Sequence, residues 1–444
     1  MKRNKLIVFL AFTTLVNFIP NNSQATSLSL GADYHLKGIS ITQRDKTLND
    51  LDYYDQRLQG YLITDLSQEV EATIKIQSIT PWGYETSTTT LQSRYPNANG
   101  QLWVQNAFLR LPKLWKDNIV LTVGRQPLQW GDGSILSDDE LGFNAIRAQM
   151  KSPWEKLSFD IEGFLAKINE SLASKGDKDL YGASIGFDRQ ALRWEIMGLL
   201  EKSDGNQNYE NGADTTTFTA SKIDRQILGV RVKSNLRDAY VKGEYYLQTG
   251  KVKQASGARD VDLSGTGYLF GLGGKSNTSK YGRFGAVVEY AVGDGDKADT
   301  PNKDESFRPS FAGRWNGLER KGYGKYYAAT FSDAYSPTDP FGEASSQNDG
   351  LPAGTSGIQT IKFGVDSTPL PKWTFSFDYF QFKAQKNISG PKELGTEFDY
   401  GVVYRYSGLV SAHVSYSQFR PGDAYPQSSR QTANFSSVEV LIKF

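Results

Sequence analysis

Cysteine is absent from all 444 residues, and methionine and histidine occur only 3 and 2 times. Without thiols there is neither a disulfide framework nor a thiolate metal site. His35 and His413 leave little room for imidazole chemistry. Neither sign of charge is in excess: 50 Lys and Arg stand against 49 Asp and Glu, a formal net charge of +1. A general nucleic-acid binder carries a basic excess, so nucleic acid is excluded as a partner. Beyond residue 25, no apolar run approaches the ~20 residues of a membrane helix. No phosphate-cradling loop is present, because no helix follows Gly271, Gly273 and Gly274.

Aromatic residues and glycine are plentiful instead: 24 Tyr, 24 Phe, 8 Trp and 43 Gly. The mean hydropathy is −0.49. Low continuous hydrophobicity with many aromatics fits a barrel that has one lipid face and one wet face.

Alternation of period two recurs along the chain. Val70, Ala72, Ile74 and Ile76 oppose Glu71, Thr73, Lys75 and Gln77. Phe398, Tyr400, Val402 and Tyr404 oppose Glu397, Asp399, Gly401 and Arg405, and Val410, Ala412, Val414 and Tyr416 oppose Ser411, His413 and Ser415. Helical spacing fits these windows badly. Short turns near Pro112–Asn118, Asp188–Ala191, Asn235–Asp238 and Thr368–Lys372 alternate with longer polar connections such as Pro81–Gly100, Pro127–Phe143, Ser203–Ser221 and Arg420–Ala433. Eight turns and nine loops predict an all-β, transmembrane, up-and-down antiparallel barrel of about 18 strands, within a range of 16–20.

Both ends of the sequence fit export to a membrane. Lys2, Arg3 and Lys5 precede the apolar stretch Leu6–Ile19, and Ser23-Gln24-Ala25 offers a small-x-small cleavage site. Residues 1–25 therefore read as a secretory signal peptide. Residues 26–444 read as one outer-membrane barrel with a long extracellular loop around 294–356, folded inward or over the mouth. A second arrangement pairs Lys325–Ser332 with Ser310–Trp315 as an extra hairpin, giving about 20 strands. The terminal run Val438, Val440, Ile442 and Phe444 resembles the signal that outer-membrane barrels present to their assembly machinery, with Phe444 as its aromatic end.

With the apolar face outward, the inward set includes Arg57, Lys75, Arg110, Arg147, Arg193, Arg231, Lys242 and Arg405, and the acids Glu71, Asp160, Glu162, Glu195, Glu244, Glu397 and Asp399. The signs nearly balance. Either opposed charges pair across the lumen, or a narrower basic strip remains. Inward Tyr61, Phe108, Phe164, Tyr240, Tyr246 and Phe382 could stack on sugar rings or fill space. Asp294 and Asp296 form a weak Ca²⁺ candidate that lacks the spacing of an EF-hand loop. Serines around His413 are expected in a wet lumen, and no catalytic residue and no cofactor is expected.

Three stretches resemble the alginate export family of outer-membrane barrels. They are Val123-Gly124-Arg125-Gln126 with Trp130-Gly131-Asp132-Gly133 and Asn144-Ala145-Ile146-Arg147; Glu393-Leu394-Gly395-Thr396-Glu397-Phe398-Asp399; and Tyr416-Ser417-Gln418-Phe419-Arg420-Pro421-Gly422-Asp423. The resemblance implies an 18-stranded pore in a Gram-negative outer membrane, passively passing a uronic-acid polymer. It also implies surroundings of lipid and lipopolysaccharide, and allows a periplasmic export component as partner. Arg125 and Arg147 occupy motif positions and are implied to line the pore. Alternation places Arg147 inward, whereas Arg125 shares parity with Val123, so that either a bulge near Gly124 re-aims it or it lies beyond the hydrocarbon zone. The candidate permeant contacts are thus Arg125, Arg147, Arg57, Arg110, Arg231, Arg405, Asp399 and Glu397. The reading is a conduit for polysaccharide or oligosaccharide, with anionic sugars foremost. A general solute porin is the alternative within that class, and a rim-active hydrolase or surface-binding barrel is the alternative outside it.

Overall fold

Period-two alternation continues unbroken enough to build eighteen long strands in the computed structural model. The structure describes residues 27–444 except 47–49, 68, 83–101, 115–117, 139, 153–157, 171–175, 212–215, 258–259, 280–281, 298, 301, 314–320, 335–350 and 389. The expected signal peptide, most of Pro81–Gly100, and Trp315 lie outside the described residues. The first nine strands are β1 Ser27–Thr42, β2 Leu51–Ser67, β3 Val70–Pro81, β4 Trp103–Leu114, β5 Ile119–Gln126, β6 Phe143–Lys151, β7 Ser158–Asn169, β8 Lys178–Arg189 and β9 Leu192–Asn211. The second nine are β10 Thr216–Leu236, β11 Ala239–Gln254, β12 Val261–Ser279, β13 Gly282–Gly293, β14 Thr355–Leu370, β15 Trp373–Asn387, β16 Glu393–Arg405, β17 Val410–Pro421 and β18 Ala433–Lys443.

Each strand pairs antiparallel with its chain neighbours, and β1 pairs β18 from Asp33–Lys443 to Thr42–Asn434. That pairing closes the ring and leaves no sheet edge, as lipid requires. Ala32 and Phe444 exchange N–H···O bonds of 2.7 and 2.9 Å, so the last residue is tied into the seam. Leu165, Leu228, Phe270, Phe363, Tyr400 and Val438 stand exposed on the outer face, where lipid covers them. At the turn end, Phe187 stacks on Trp194 at 4.2 Å and Trp373 packs Tyr404 at 4.6 Å, as an aromatic girdle does.

Some loops expected from polarity are strand. β9 and β10 run 20 and 21 residues, so the connection expected over Ser203–Ser221 shrinks to 212–215. The reason is physical: past the hydrocarbon both faces meet water, so polarity no longer alternates although the ladder still does.

Two connections turn inward. Leu128, Trp130, Ile135 and Leu136, between β5 and β6, pack with Phe307 and Phe331, between β13 and β14, against Phe164, Met197, Tyr246 and Leu269 of the wall. The two segments also join each other: the Ser137 N–H donates to the Phe311 carbonyl at 2.6 Å and the Gly313 N–H to that of Gly133 at 2.7 Å. Gly267 on β12 permits this approach, since a Cβ there would lie 2.4 Å from the Phe307 ring. Among the described residues the alternative extra hairpin is not formed. Tyr323 and Ala329 instead make a tight reversal inside the lumen, and the barrel count stays at eighteen.

Candidate functional site

Many of the inward charges are paired along the wall. Arg147 meets Glu162 at 2.6 Å, Lys242 meets Glu289 at 2.6 Å, and Arg110 meets Glu71 at 2.6 Å. Arg231 bridges two elements, reaching Glu244 of β11 at 3.0 Å and Asp132 of the β5–β6 segment at 2.5 Å. Arg193 forks onto Asp160 at 2.8 and 3.0 Å, and also reaches Asp188 at 2.7 Å. Burial opposes ionisation of Asp132, but the hydrogen bond and charge of Arg231 outweigh it and hold this carboxyl below its ordinary range. The balanced composition is therefore spatial pairing, and the alternative of a continuous basic strip is not what these arginines form.

Glu397 and Asp399 do something the sequence does not show. Glu397 is fully buried and accepts the backbone N–H groups of Tyr326 at 2.6 Å and Tyr327 at 2.9 Å. Asp399, two residues along the same inward face, accepts the Lys325 N–H at 2.9 Å. Three successive amides of the β13–β14 segment are thus latched to β16. Tyr326 and Tyr327 then stack on Phe419 at 5.4 and 4.7 Å, and Tyr327 packs Phe382 at 4.6 Å. Gly324 has a φ of +84°, and a Cβ there would sit 2.5 Å from Glu397 Oε2. Only glycine satisfies both demands. We call residues 321–334 the strap.

The other sequence candidates scatter. Arg57 pairs with Glu140 of the β5–β6 segment, and Arg405 lies at the exposed turn end, donating to Thr374 Oγ1 at 2.9 Å. Arg125 is not brought to Arg147. The registers of β5 with β4 and β6 run unbroken from Thr122 to its end, so no bulge re-aims it. It keeps the outward parity of exposed Val123, next to Gly142 at the loop-end rim. The Asp294 carboxylate accepts the Thr266 N–H at 2.9 Å, and Asp296 accepts the Glu305 N–H at 3.2 Å. Among the described residues, no group of three or more metal-ligating side chains converges. Both carboxylates pin the start of the β13–β14 connection.

Tyr246, Phe164 and Phe382 are buried beneath the inward segments and act as filler. Two cavities flank the turn at Gly131–Gly133. One, of about 200 Å³, lies between Lys242, Glu289 and the strap at Tyr323 and Phe331. The other, of about 390 Å³, is lined by Trp130, Asp132, Gln149, Asp160, Glu162, Ser184, Arg193, Glu195 and Arg231. Sequence reading allowed the 294–356 connection to fold inward but did not foresee that the Pro127–Phe143 connection also does, with Trp130 buried in the lumen.

The barrel resembles solved outer-membrane proteins at low identity. Acinetobacter baumannii OccAB1 matches with a TM-score of 0.55 and 11% identity, over 96% of this chain and 99% of that one. Pseudomonas aeruginosa OccK9 (OpdG) gives 0.56 and 11%, over 95% and 99%. A BenF-like porin from Pseudomonas fluorescens Pf-5 gives 0.53 and 12%, over 95% and 100%. These likenesses show the fold. No curated protein matches the chain. The sequence signature described as alginate export matches residues 26–330, well over half of the chain. The chain belongs to the alginate export family and is an outer-membrane channel of a Gram-negative bacterium, set in lipid and lipopolysaccharide.

Proposed function

We propose that the protein passively conducts oligosaccharides or polysaccharide chains through the barrel, with the long connections outside the cell and the short turns in the periplasm. The observation that carries this reading is the constriction: an ion-paired wall narrowed by two inward segments that leave a mostly apolar cavity of about 200 Å³ and a polar one of about 390 Å³. Paired charges and amides such as Gln149 offer hydrogen bonds to hydroxyl-rich solutes without binding them strongly. The family carries uronate polymers as the first permeant class. The pairing of Arg147, Arg110 and Arg231 favours saccharides more broadly, since each guanidinium already has a carboxylate.

A non-enzymatic role is part of the proposal. Ser411 Oγ and His413 Nε2 lie 3.2 Å apart. The acid across the strand pair, Glu439, is engaged by Lys37 at 3.0 Å, His35 at 3.3 Å and Ser437 at 3.0 Å. That arrangement supports a structural seam cluster over a relay. Assembly through Phe444 and docking of a periplasmic export component complete the proposal. The test is liposome swelling in isotonic sugars of increasing chain length. Folded protein should admit short saccharides with a length cut-off, and liposomes that stay tight to every saccharide would overturn the conduit.

A further inference from the structure

The 390 Å³ cavity beneath Asp132 has an unequal wall: four carboxylates (Asp132, Asp160, Glu162 and Glu195) against two guanidiniums (Arg193 and Arg231). Arg193 is held by Asp160, Arg231 by Asp132 and Glu244, and Glu162 by Arg147 from behind. Glu195 is left over. It faces Gly186 on one side and lies opposite Arg231 on the other, yet no ion pair or hydrogen bond engages it among the described residues. Two donors of the cavity are engaged internally: Trp130 Nε1–H reaches Glu162 at 3.1 Å and Gln149 Nε2–H reaches it at 3.0 Å, while the Gln129 amide on the same wall makes no hydrogen bond among the described residues. Free acceptors remain at the Glu195 carboxylate, the Gln149 carbonyl and the hydroxyl of Ser184, which is 7% exposed and without a partner among the described residues.

Free acceptors beside a carboxylate that no cation pairs directly, in a wall with four carboxylates to two guanidiniums, suit a ligand that brings hydroxyl donors and one positive charge. We propose that this cavity is a recognition subsite for an amino sugar carrying a free ammonium group, with Glu195 as its counter-ion and Ser184 and Gln149 accepting ring hydroxyls. A bare metal ion is a poor occupant, because no three metal-ligating groups converge among the described residues. A uronate would place its carboxylate beside Glu195. The subsite rests on the conduit reading and names the permeant class it selects.

Planar-bilayer recordings with the full-length protein test it, with a glucosamine trimer, a galacturonate trimer and maltotriose as probes. The glucosamine trimer should block wild-type current at about five- to tenfold lower concentration than it blocks Glu195→Gln current, while the other two sugars block both alike. Under a KCl gradient, the Glu195→Gln reversal potential should shift toward anion preference. Ser184→Ala, which keeps the charge, should lose about twofold of the glucosamine block and leave the reversal potential unchanged. Heat-modifiable gel mobility confirms that each variant is folded. Equal glucosamine block in wild type and Glu195→Gln, or an unshifted reversal potential, overturns the subsite even where sugars pass. If maltotriose never enters the wild type while Glu195→Gln still shifts ion preference, the conduit reading fails and the charge assignment stands.

Discussion

Replacing Glu397 with Ala should open the constriction. The carboxylate accepts two strap amides, at 2.6 and 2.9 Å, in a fully buried setting. A hydrogen bond contributes about 0.5–1.5 kcal/mol, so anchoring falls by about 1–3 kcal/mol. A change of that size raises the released population about 5- to 10²-fold. The barrel itself should survive, because β16 keeps its ladders to β15 and β17 and the stacking of Tyr327 on Phe419 is untouched. Single-channel recordings should show larger conductance with rapid flicker between two levels. Glu397→Gln retains one carbonyl acceptor and should fall between the two. Wild-type conductance and noise in Glu397→Ala would refute the idea that this carboxylate latches the strap.

Gly324→Ala should reproduce the Glu397→Ala currents, since its Cβ would meet Glu397 Oε2 at 2.5 Å at a φ of +84°; unaltered currents would contradict that packing. Deleting Phe444 removes two backbone bonds to Ala32 and should lower assembly yield and the temperature at which the barrel unfolds in gels, with conductance of the surviving fraction unchanged. Asp132 is held below the ordinary carboxylate range, so its contribution is present above its unfolded pKa and is lost as pH falls through the lower folded value. Single-channel currents should therefore stay constant through the usual Asp titration range and change only in stronger acid, and Asp132→Asn should abolish that acid step. Because this side chain is 60% exposed, the accompanying change in stability should be small.

The barrel was legible because lipid on one side and water on the other impose period two on every spanning strand. That rule put Arg147, Arg231 and Glu397 on the inner face, where their side chains find their partners, and it put Arg125 with Val123, where the unbroken register keeps it. Connections were read from polarity alone, and this failed over Ser203–Ser221, where strands continue into water. The constriction was less legible still. Glu397 and Asp399 looked like permeant contacts, but their partners are backbone amides 70 to 74 residues away in sequence. Backbone N–H groups carry no sequence signature. Likewise, a balanced charge count could not say which acid meets which base; only the register of neighbouring strands brings Glu162 beside Arg147.

The central claim, an aqueous path past the strap with its wall read by alternation, is tested most directly by engineered thiols, since the chain has no cysteine of its own. Ser411 faces the lumen at the turn end of β17, and Val414, 49% exposed, faces outward on the same strand. A charged, water-soluble thiol reagent is added to the loop side of a bilayer holding one channel. The Ser411→Cys current should drop in a single step, faster when Glu397→Ala is also present, and the Val414→Cys current should not change. Silence at Ser411→Cys, or equal steps at both positions, would contradict the account.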